Sequence, residues 1–186
     1  MNRVKLVLSM VFLSMIILLF GACSGVANNT SGEGTIRVYF SDAPPEGVTA
    51  IEIKASSIEA HMSGADEDQW VNLLTDPPVF DLVKAIGINV LLGTNDIPAG
   101  NYTQVRLDIT DVTVTLNGQQ VKATVPSDKL KLVGNFTIEE GKSTSISLDF
   151  DAEKSIVLAG QDKVILKPVV KLIVSKPGEA LATTTP

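Results

Sequence analysis

The acidic residues Asp149, Asp151 and Glu153 are the best candidates in this sequence for chemistry. Asp149 and Asp151 are two positions apart, so both would project from the same face of a strand. Asp42, at the end of an earlier apolar run, could join them. Calcium takes six to eight oxygen ligands, and carboxylates supply them well. The pattern therefore raises a calcium site built from Asp42, Asp149 and Asp151.

The same acidic residues have a simpler interpretation. Asp149 and Asp151 could be solvated side chains opposite an apolar strand face, with Lys154 as a partner, and no EF-hand loop pattern of Asp, Asn and Gly is present. Asp42 precedes Ala43-Pro44-Pro45 and could form a turn in which its carboxylate accepts backbone N–H groups. We expect the turn role for Asp42. We expect no resident cofactor, with calcium as the alternative.

The sequence contains few residues that could serve as nucleophiles or metal ligands. His61 is the only histidine and Cys23 the only cysteine. No G-x-S-x-G elbow presents a serine nucleophile, and a zinc site would lack nitrogen and sulfur ligands. We expect His61 to be an ordinary surface residue at a strand end. A hydrolase that uses a carboxylate pair stays open as a remote alternative.

Trp70 follows an acidic segment and is the only tryptophan. Together with Tyr39 and Tyr102 it could form a platform for stacking sugars. Aromatic residues make up only 5% of the chain, which is sparse for a carbohydrate binder. We therefore prefer the interpretation in which Trp70 closes one end of the core. Glycine-rich phosphate loops of the Walker or dinucleotide type are absent.

The N-terminus is typical of an export signal. Arg3 and Lys5 precede fifteen mostly apolar residues at 6–20, and small residues follow. This pattern predicts a secretory signal over residues 1–22, since a membrane-spanning helix needs about 20 apolar residues. An uncleaved anchor is the alternative. The stretch Leu19-Phe20-Gly21-Ala22-Cys23 resembles the bacterial lipobox, which implies lipid on Cys23. Two or three acyl chains would give a stable membrane anchor.

Charge and composition restrict the partners. The net charge of −6 becomes more negative when Arg3 and Lys5 leave with the signal. Phosphate backbones repel such a protein, so we expect no nucleic-acid partner, and we expect membrane attachment only through lipid on Cys23. Residues 23–34 are rich in Ser, Gly and Asn and predict a flexible tether. Residues 35–175 then form one domain, and residues 176–186 a disordered tail.

Apolar residues in the body of the chain recur with period two, which indicates half-buried strands. Such runs lie at residues 36–40, 51–55, 105–109 and 146–150. The phase of the pattern changes near Thr110-Asp111 and again between residues 55 and 58, so we expect a bulge at each place. Asn117-Gly118 predicts a hairpin turn. The apolar residues 164–174 could form a central strand, but Pro168 cannot donate a hydrogen bond to a ladder, which implies a bulge or an edge there.

These signals predict an all-β fold. We expect an antiparallel β-sandwich of Greek-key-like topology or a partly closed barrel. At most one short helix fits the pattern, at residues 79–86.

Six short segments of the sequence, which we call phrases, occur in the order in which they occur in a known family. They are Ser41-Asp42-Ala43-Pro44; Trp70-Val71-Asn72-Leu73 with Phe80-Asp81-Leu82; residues 97–107; Val125-Pro126-Ser127; residues 148–157; and Leu166-Lys167-Pro168-Val169-Val170. In these phrases, residues 35–174 resemble the bacterial and archaeal family known as domain of unknown function 4382. The resemblance implies an envelope-associated β domain, often found in lipoproteins. It implies no established activity.

Taken together, the sequence predicts a non-enzymatic lipoprotein of the cell envelope, at the outer membrane if the host has one. Its β-sandwich would serve in binding or structural support. A calcium-binding or glycan-binding surface module around Asp42 and Trp70 is the alternative.

Overall fold

Alternating apolar residues build most of the chain into strands. The computed structural model describes residues 32–42, 47–159 and 163–181. The strands are β1 (Glu33–Ser41), β2 (Val48–Met62), β3 (Trp70–Asn72), β4 (Val79–Asp81), β5 (Val90–Pro98), β6 (Gly100–Leu116), β7 (Gln119–Lys122), β8 (Lys129–Ile138), β9 (Ser143–Phe150), β10 (Ile156–Leu158), β11 (Val164–Leu166) and β12 (Val170–Val174). A 3-10 helix (Leu82–Ala85) precedes β5, and the helix α1 (Ala152–Ser155) follows β9.

Two sheets enclose the core, and we call them the small sheet and the large sheet. The small sheet has the strand order β12-β9-β1-β5. The large sheet has the order β3-β2-β6-β7, with β4 also paired to β2 and β8 to β6. Strands β10 and β11 form a separate pair. Within the described residues neither large nor small sheet closes on itself, so the all-β prediction is confirmed and its sandwich form holds over the barrel.

One strand pair departs from the predicted antiparallel arrangement. β1 and β9 run parallel, in a register that pairs Val38 with Ile146 and Ser41 with Asp149. Parallel neighbours need a long crossover, and the part of the chain between β1 and β9, which contains β2 to β8, supplies it. A pattern of period two is the same for either strand direction, so the sequence does not reveal this pairing.

The inner faces of the sheets meet in a single apolar core. Phe80 of β4 contacts Phe40 of β1 and Phe150 of β9, with ring centroids 5.0 and 5.9 Å apart. These contacts join the large sheet to the small one. Fully buried members of the core include Ile36, Ile51, Ile53, Ile58, Leu107, Ile146 and Leu148.

Both predicted bulges are present, and they compensate each other. In the pairing of β2 with β6, Lys54 lies opposite Asp111 and Ala55 opposite Ile109, so Thr110 is the extra residue. Ser57 then lies opposite Asp108, which makes Ser56 the extra residue on β2. Because each strand gains one residue, the register is the same on both sides. The apolar residues change from odd to even positions at each bulge and so stay on the core face.

The hairpin between β6 and β7 also agrees with prediction. Asn117 and Gly118 have positive φ angles of 51° and 80°. Two consecutive residues of this kind are typical of a type I′ turn, and Asn-Gly adopts it most readily.

Three predicted segments differ in the structure. Residues 164–174 are not one central strand, because β11 ends before Pro168 and β12 pairs only with β9 at the sheet edge. The predicted helix at 79–86 is the strand β4 followed by the 3-10 helix, since pairing with β2 holds Val79–Asp81 extended. The helix α1 was not predicted, because its single turn is too short to show a period.

The folded part also extends beyond both predicted boundaries. β1 begins at Glu33, inside the segment assigned to the tether, and the Gly32 carbonyl accepts a hydrogen bond from Ala99 N–H at 2.7 Å. At the other end, Gly178 N–H donates to the Ser143 carbonyl at 2.7 Å, inside the segment assigned to the tail. Backbone hydrogen bonds of this kind leave no mark in the composition.

Candidate functional site

A cleft opens at the end of the small sheet where β1 and β9 terminate. It has a volume of about 550 Å³. Its walls come from the last residues of β1 and β9, the helix α1, the turn after the 3-10 helix, and β12. We name it the Asp42 cleft; its lining includes Ser41, Asp42, Ile86, Asp149, Asp151, Glu153, Lys154, Val169 and Lys171. The three carboxylates proposed from the sequence thus line the same cleft.

Asp42 is a buried carboxylate that joins two distant segments. Only 6% of the residue is exposed. Its Oδ1 accepts a hydrogen bond from the Ala152 N–H at 2.9 Å, and its own N–H donates to the Ala85 carbonyl at 3.2 Å. The turn role predicted for Asp42 involves residues 43–46, which lie outside the described residues, so it stays a prediction, and the donor seen here is not in that turn. The donor belongs to α1, 110 residues further along the chain.

Asp149 is fixed by its neighbours on both sides. It lies on β9, opposite Ser41 of β1 and Lys171 of β12. The Ser41 hydroxyl donates to its Oδ1 at 2.8 Å. The parallel pairing of β1 with β9 brings these two side chains together, and only the tertiary structure could show it.

Asp151 does not share a strand face with Asp149, so that prediction is wrong. β9 ends at Phe150, and Asp151 is the N-cap of α1. Its carboxylate accepts hydrogen bonds from the Lys154 N–H at 3.1 Å and from Lys154 Nζ at 2.5 Å. The hydrogen bonds from Lys154 lower the pKa of Asp151 below its ordinary value.

This arrangement bears on the calcium hypothesis. In the cleft, Asp42 accepts from Ala152, Asp149 from Ser41, and Asp151 from Lys154. Across the described residues, no group of three or more His, Cys, Asp or Glu side chains is arranged to hold a metal ion. Calcium binding at Asp42, Asp149 and Asp151 therefore stays a prediction.

An exposed apolar patch lies beside the cleft. We name it the Leu91 patch; its members are Val79, Ile86, Ile88 and Leu91, with exposed fractions of 49–58%. Ile86 also lines the Asp42 cleft, while Val79 and Leu91 line a second cleft of about 400 Å³. Sequence reasoning missed this patch. The signal was the run Ile86-Gly87-Ile88, which falls outside the alternating pattern.

Comparison with known proteins identifies the family. The family described as domain of unknown function (DUF4382) matches residues 33–168. The chain belongs to this family. No curated protein and no solved structure matches the chain.

The DUF4382 domain spans β1 to β11 and ends at Pro168, just before β12. It thus contains Asp42, Asp149 and Asp151 of the cleft, while Lys171 on β12 lies beyond it. The resemblance stated from six sequence phrases is confirmed over this range.

Trp70 of the DUF4382 domain does not close the core. It lies on the edge strand β3, where the Arg106 guanidinium carbon is 4.2 Å from its ring centroid. Arg106 also forms an ion pair with Glu59. The ring of His61 contacts Trp70 with centroids 5.1 Å apart. The expectation that Trp70 plugs the core is wrong, because β3 pairs with β2 so that Trp70 lies beside His61 on the outer face.

The proposed platform of Trp70, Tyr39 and Tyr102 is also wrong. Tyr102 is completely buried and stacks on Phe136, with centroids 5.0 Å apart. Tyr39 belongs to β1 of the small sheet, whereas Trp70 belongs to the large sheet. The three aromatic residues Trp70, Tyr39 and Tyr102 therefore lie at three different places in the fold.

His61 is engaged structurally. Its Nε2 lies 2.9 Å from the Asp66 carbonyl oxygen, and its ring contacts Trp70. The prediction that it is an ordinary surface residue at a strand end agrees with its partial exposure on β2.

The lipidation site Cys23 lies outside the described residues and before the DUF4382 match. Among the residues that are described, no helix combines the length and hydropathy needed to cross a membrane.

Proposed function

We propose that this protein is a lipid-anchored lipoprotein of the cell envelope, and that its sandwich is a non-enzymatic binding module. The binding surface is the Asp42 cleft together with the Leu91 patch. The anchor is lipid on Cys23, as the signal-like residues 1–22 and the lipobox-like sequence before Cys23 support. In a host with an outer membrane, the anchor would be in that membrane.

The observation that carries the proposal is the position of the cleft along β1. This strand starts at Glu33 and reaches the cleft at Ser41, its ninth residue. At about 3.3 Å per residue, the two ends lie roughly 25–30 Å apart. The hydrogen bond of Gly178 to Ser143 places the C-terminal segment at the Glu33 end as well. The first residue of β1 and the cleft therefore lie at opposite ends of this strand.

The surface at that end suits a protein partner. Large contiguous apolar patches on a protein surface often mark sites of contact with another protein. Acidic side chains outnumber lysines in the two clefts beside the Leu91 patch. The second cleft has Asp76 and Asp81 against Lys84, and the Asp42 cleft has Asp42, Asp149, Asp151 and Glu153 against Lys154 and Lys171. A partner with apolar and basic side chains would be complementary to both features.

The chemistry of the cleft supports binding over catalysis. A general acid at neutral pH needs a carboxyl with a raised pKa, whereas the pKa of Asp151 is lowered by Lys154. The Ser41 hydroxyl donates its hydrogen bond to Asp149, and His61 lies on the other sheet. Ser41 therefore has no histidine base, and only 6% of it is exposed to a substrate.

Two experiments test the proposal. A Cys23→Ser variant should remain unprocessed by lipoprotein maturation and leave the acylated membrane fraction, which mass spectrometry and fractionation will detect. Acylated protein in the variant would overturn the anchor.

For the binding surface, a photo-crosslinking amino acid at Ile88 should capture a specific envelope protein in living cells. The same amino acid at Lys131, which is exposed in the middle of β8, is the matched control. Identical products at both positions, or none at Ile88, would contradict a contact surface at this end.

A further inference from the structure

A concave area on the outer face of the large sheet has no ionised side chain in its lining. It has a volume of about 470 Å³ and lies where β6 starts and β8 ends. We name it the Asn101 pocket; its lining comprises Ser63, Asn101, Tyr102, Thr103, Asn135, Phe136 and Thr137. Five of these side chains carry hydroxyl or amide groups, and the other two are aromatic.

The alternation of the two strands explains this lining. Tyr102 and Phe136 lie opposite each other in the register of β6 and β8 and point into the core, where their rings stack at an interplanar angle of 11°. Their neighbours Asn101 and Thr137 are therefore directed outward, while Thr103 and Asn135 lie where the register of β6 and β8 shifts. The Tyr102 hydroxyl donates to the Pro98 carbonyl at 2.8 Å. The strand segments beneath the pocket are thus held in place from the core side.

The polar groups are arranged to meet a ligand. The Thr137 hydroxyl donates to Asn101 Oδ1 at 2.9 Å and holds that amide in place. Asn101 and Asn135 are both exposed, so their amide N–H groups are accessible. Amide and hydroxyl groups both donate and accept hydrogen bonds. A ligand covered with hydroxyl groups needs partners of both kinds.

The electrostatic setting selects against charged ligands. Elsewhere on this face the side chains are ionised: Arg106 pairs with Glu59, and Lys129 with Asp108. Within the Asn101 pocket no counter-charge is available to an acid or a base. Burial raises the pKa of Tyr102 to about 12, so this phenol also stays neutral at physiological pH. A neutral ligand therefore loses least on entering.

We propose that the Asn101 pocket binds a neutral saccharide. The pocket lies near the Glu33 end of the sandwich, since Ala99 bonds to Gly32, and so it is separate from the Asp42 cleft. The saccharide site does not depend on the function proposed for that cleft.

The test is a titration of the full chain in lipid nanodiscs with neutral and acidic oligosaccharides. Cellotetraose, chitotetraose and maltotetraose are the neutral probes, and a tetramer of galacturonic acid is the charged comparison. We expect at least one neutral probe to bind and the acidic probe not to bind. Asn101→Ala and Asn135→Ala should each weaken that binding about fivefold, as the loss of one hydrogen bond predicts.

The controls separate a binding defect from a folding defect. Gln120→Ala removes an exposed amide from β7, outside the pocket, and should leave the affinity unchanged. A third pocket variant, Thr103→Val, removes a hydroxyl while keeping the side-chain volume. Melting curves will confirm that each variant is folded. The proposal fails if no neutral probe binds, if the acidic probe binds better, or if the two Asn variants bind as tightly as Gln120→Ala. The outcome of this titration and the outcome of the Cys23→Ser fractionation are independent, so the saccharide site and the lipid anchor can each fail without the other.

Discussion

The Asp42 carboxylate accepts the first N–H of α1, from Ala152, at 2.9 Å. This single hydrogen bond joins the end of β1 to the segment that follows β9. Because α1 also provides Lys154 to the cleft, the bond fixes one wall of the Asp42 cleft relative to another. It is a buried contact between a charged acceptor and a backbone donor, which is among the stronger hydrogen bonds in proteins.

Asp42→Ala should lower the free energy of unfolding by about 1–3 kcal/mol, because it leaves the Ala152 N–H without this acceptor. Urea denaturation of the purified protein will measure the change. Asp68→Ala, at an exposed position, is the control and should have little effect. Equal stability of both variants would show that the Asp42 bond does not hold the cleft.

Arg106 and Trp70 should be energetically coupled, since the guanidinium lies over the indole ring. A double-mutant cycle with Arg106→Gln and Trp70→Leu should give a coupling of about 0.5–1 kcal/mol. Trp70 is the only tryptophan, so a shift of its fluorescence in Arg106→Gln provides a second measurement. Additive effects of the two substitutions together with unchanged fluorescence would contradict the stacking of Arg106 on Trp70. The control is the cycle of Lys122→Gln with Trp70→Leu, which should show no coupling.

Tyr102 should make stability fall in alkaline solution. Burial raises its pKa from 10.0 to about 12. Between these values the unfolded chain loses the phenolic proton while the folded chain retains it, so stability is complete below pH 10 and decreases as the pH rises towards 12. Tyr102→Phe should reduce this decrease. Phenolate absorbance measured on folded protein at about pH 11 should be the same in both proteins, and a clear loss of absorbance in the variant would refute the burial effect.

Gly34→Ala should strongly destabilise the fold. A Cβ at Gly34 would lie 2.3 Å from the backbone oxygen of Glu139, and backbone cannot move aside as a flexible side chain can. Residue 34 was assigned to a flexible tether from composition, and a tether would tolerate the change. Thermal unfolding of Gly34→Ala and of Arg37→Ala, an exposed control on β1, distinguishes an ordered strand at residue 34 from a flexible tether. Equal melting temperatures of the two variants would support the tether.

The sequence by itself determined the local features of this fold. Alternation placed Ile36, Ile51 and Ile146 in the core, and the phase changes located the bulges at Ser56 and Thr110. Asn117-Gly118 located the hairpin. These features depend on the faces of single strands and on the φ angles of single residues, and both are properties of neighbours in the chain. The family resemblance also followed from local phrases.

Only the tertiary structure decided which strands are neighbours and therefore which side chains meet. The parallel pairing of β1 with β9 brings Ser41 to Asp149, and the start of α1 takes Asp151 away from the strand face it was expected to share. Tyr102 is buried because its strand face turns inward beside Phe136. Residues a hundred positions apart leave no common period in the sequence, so their contacts are set by the packing of the whole core.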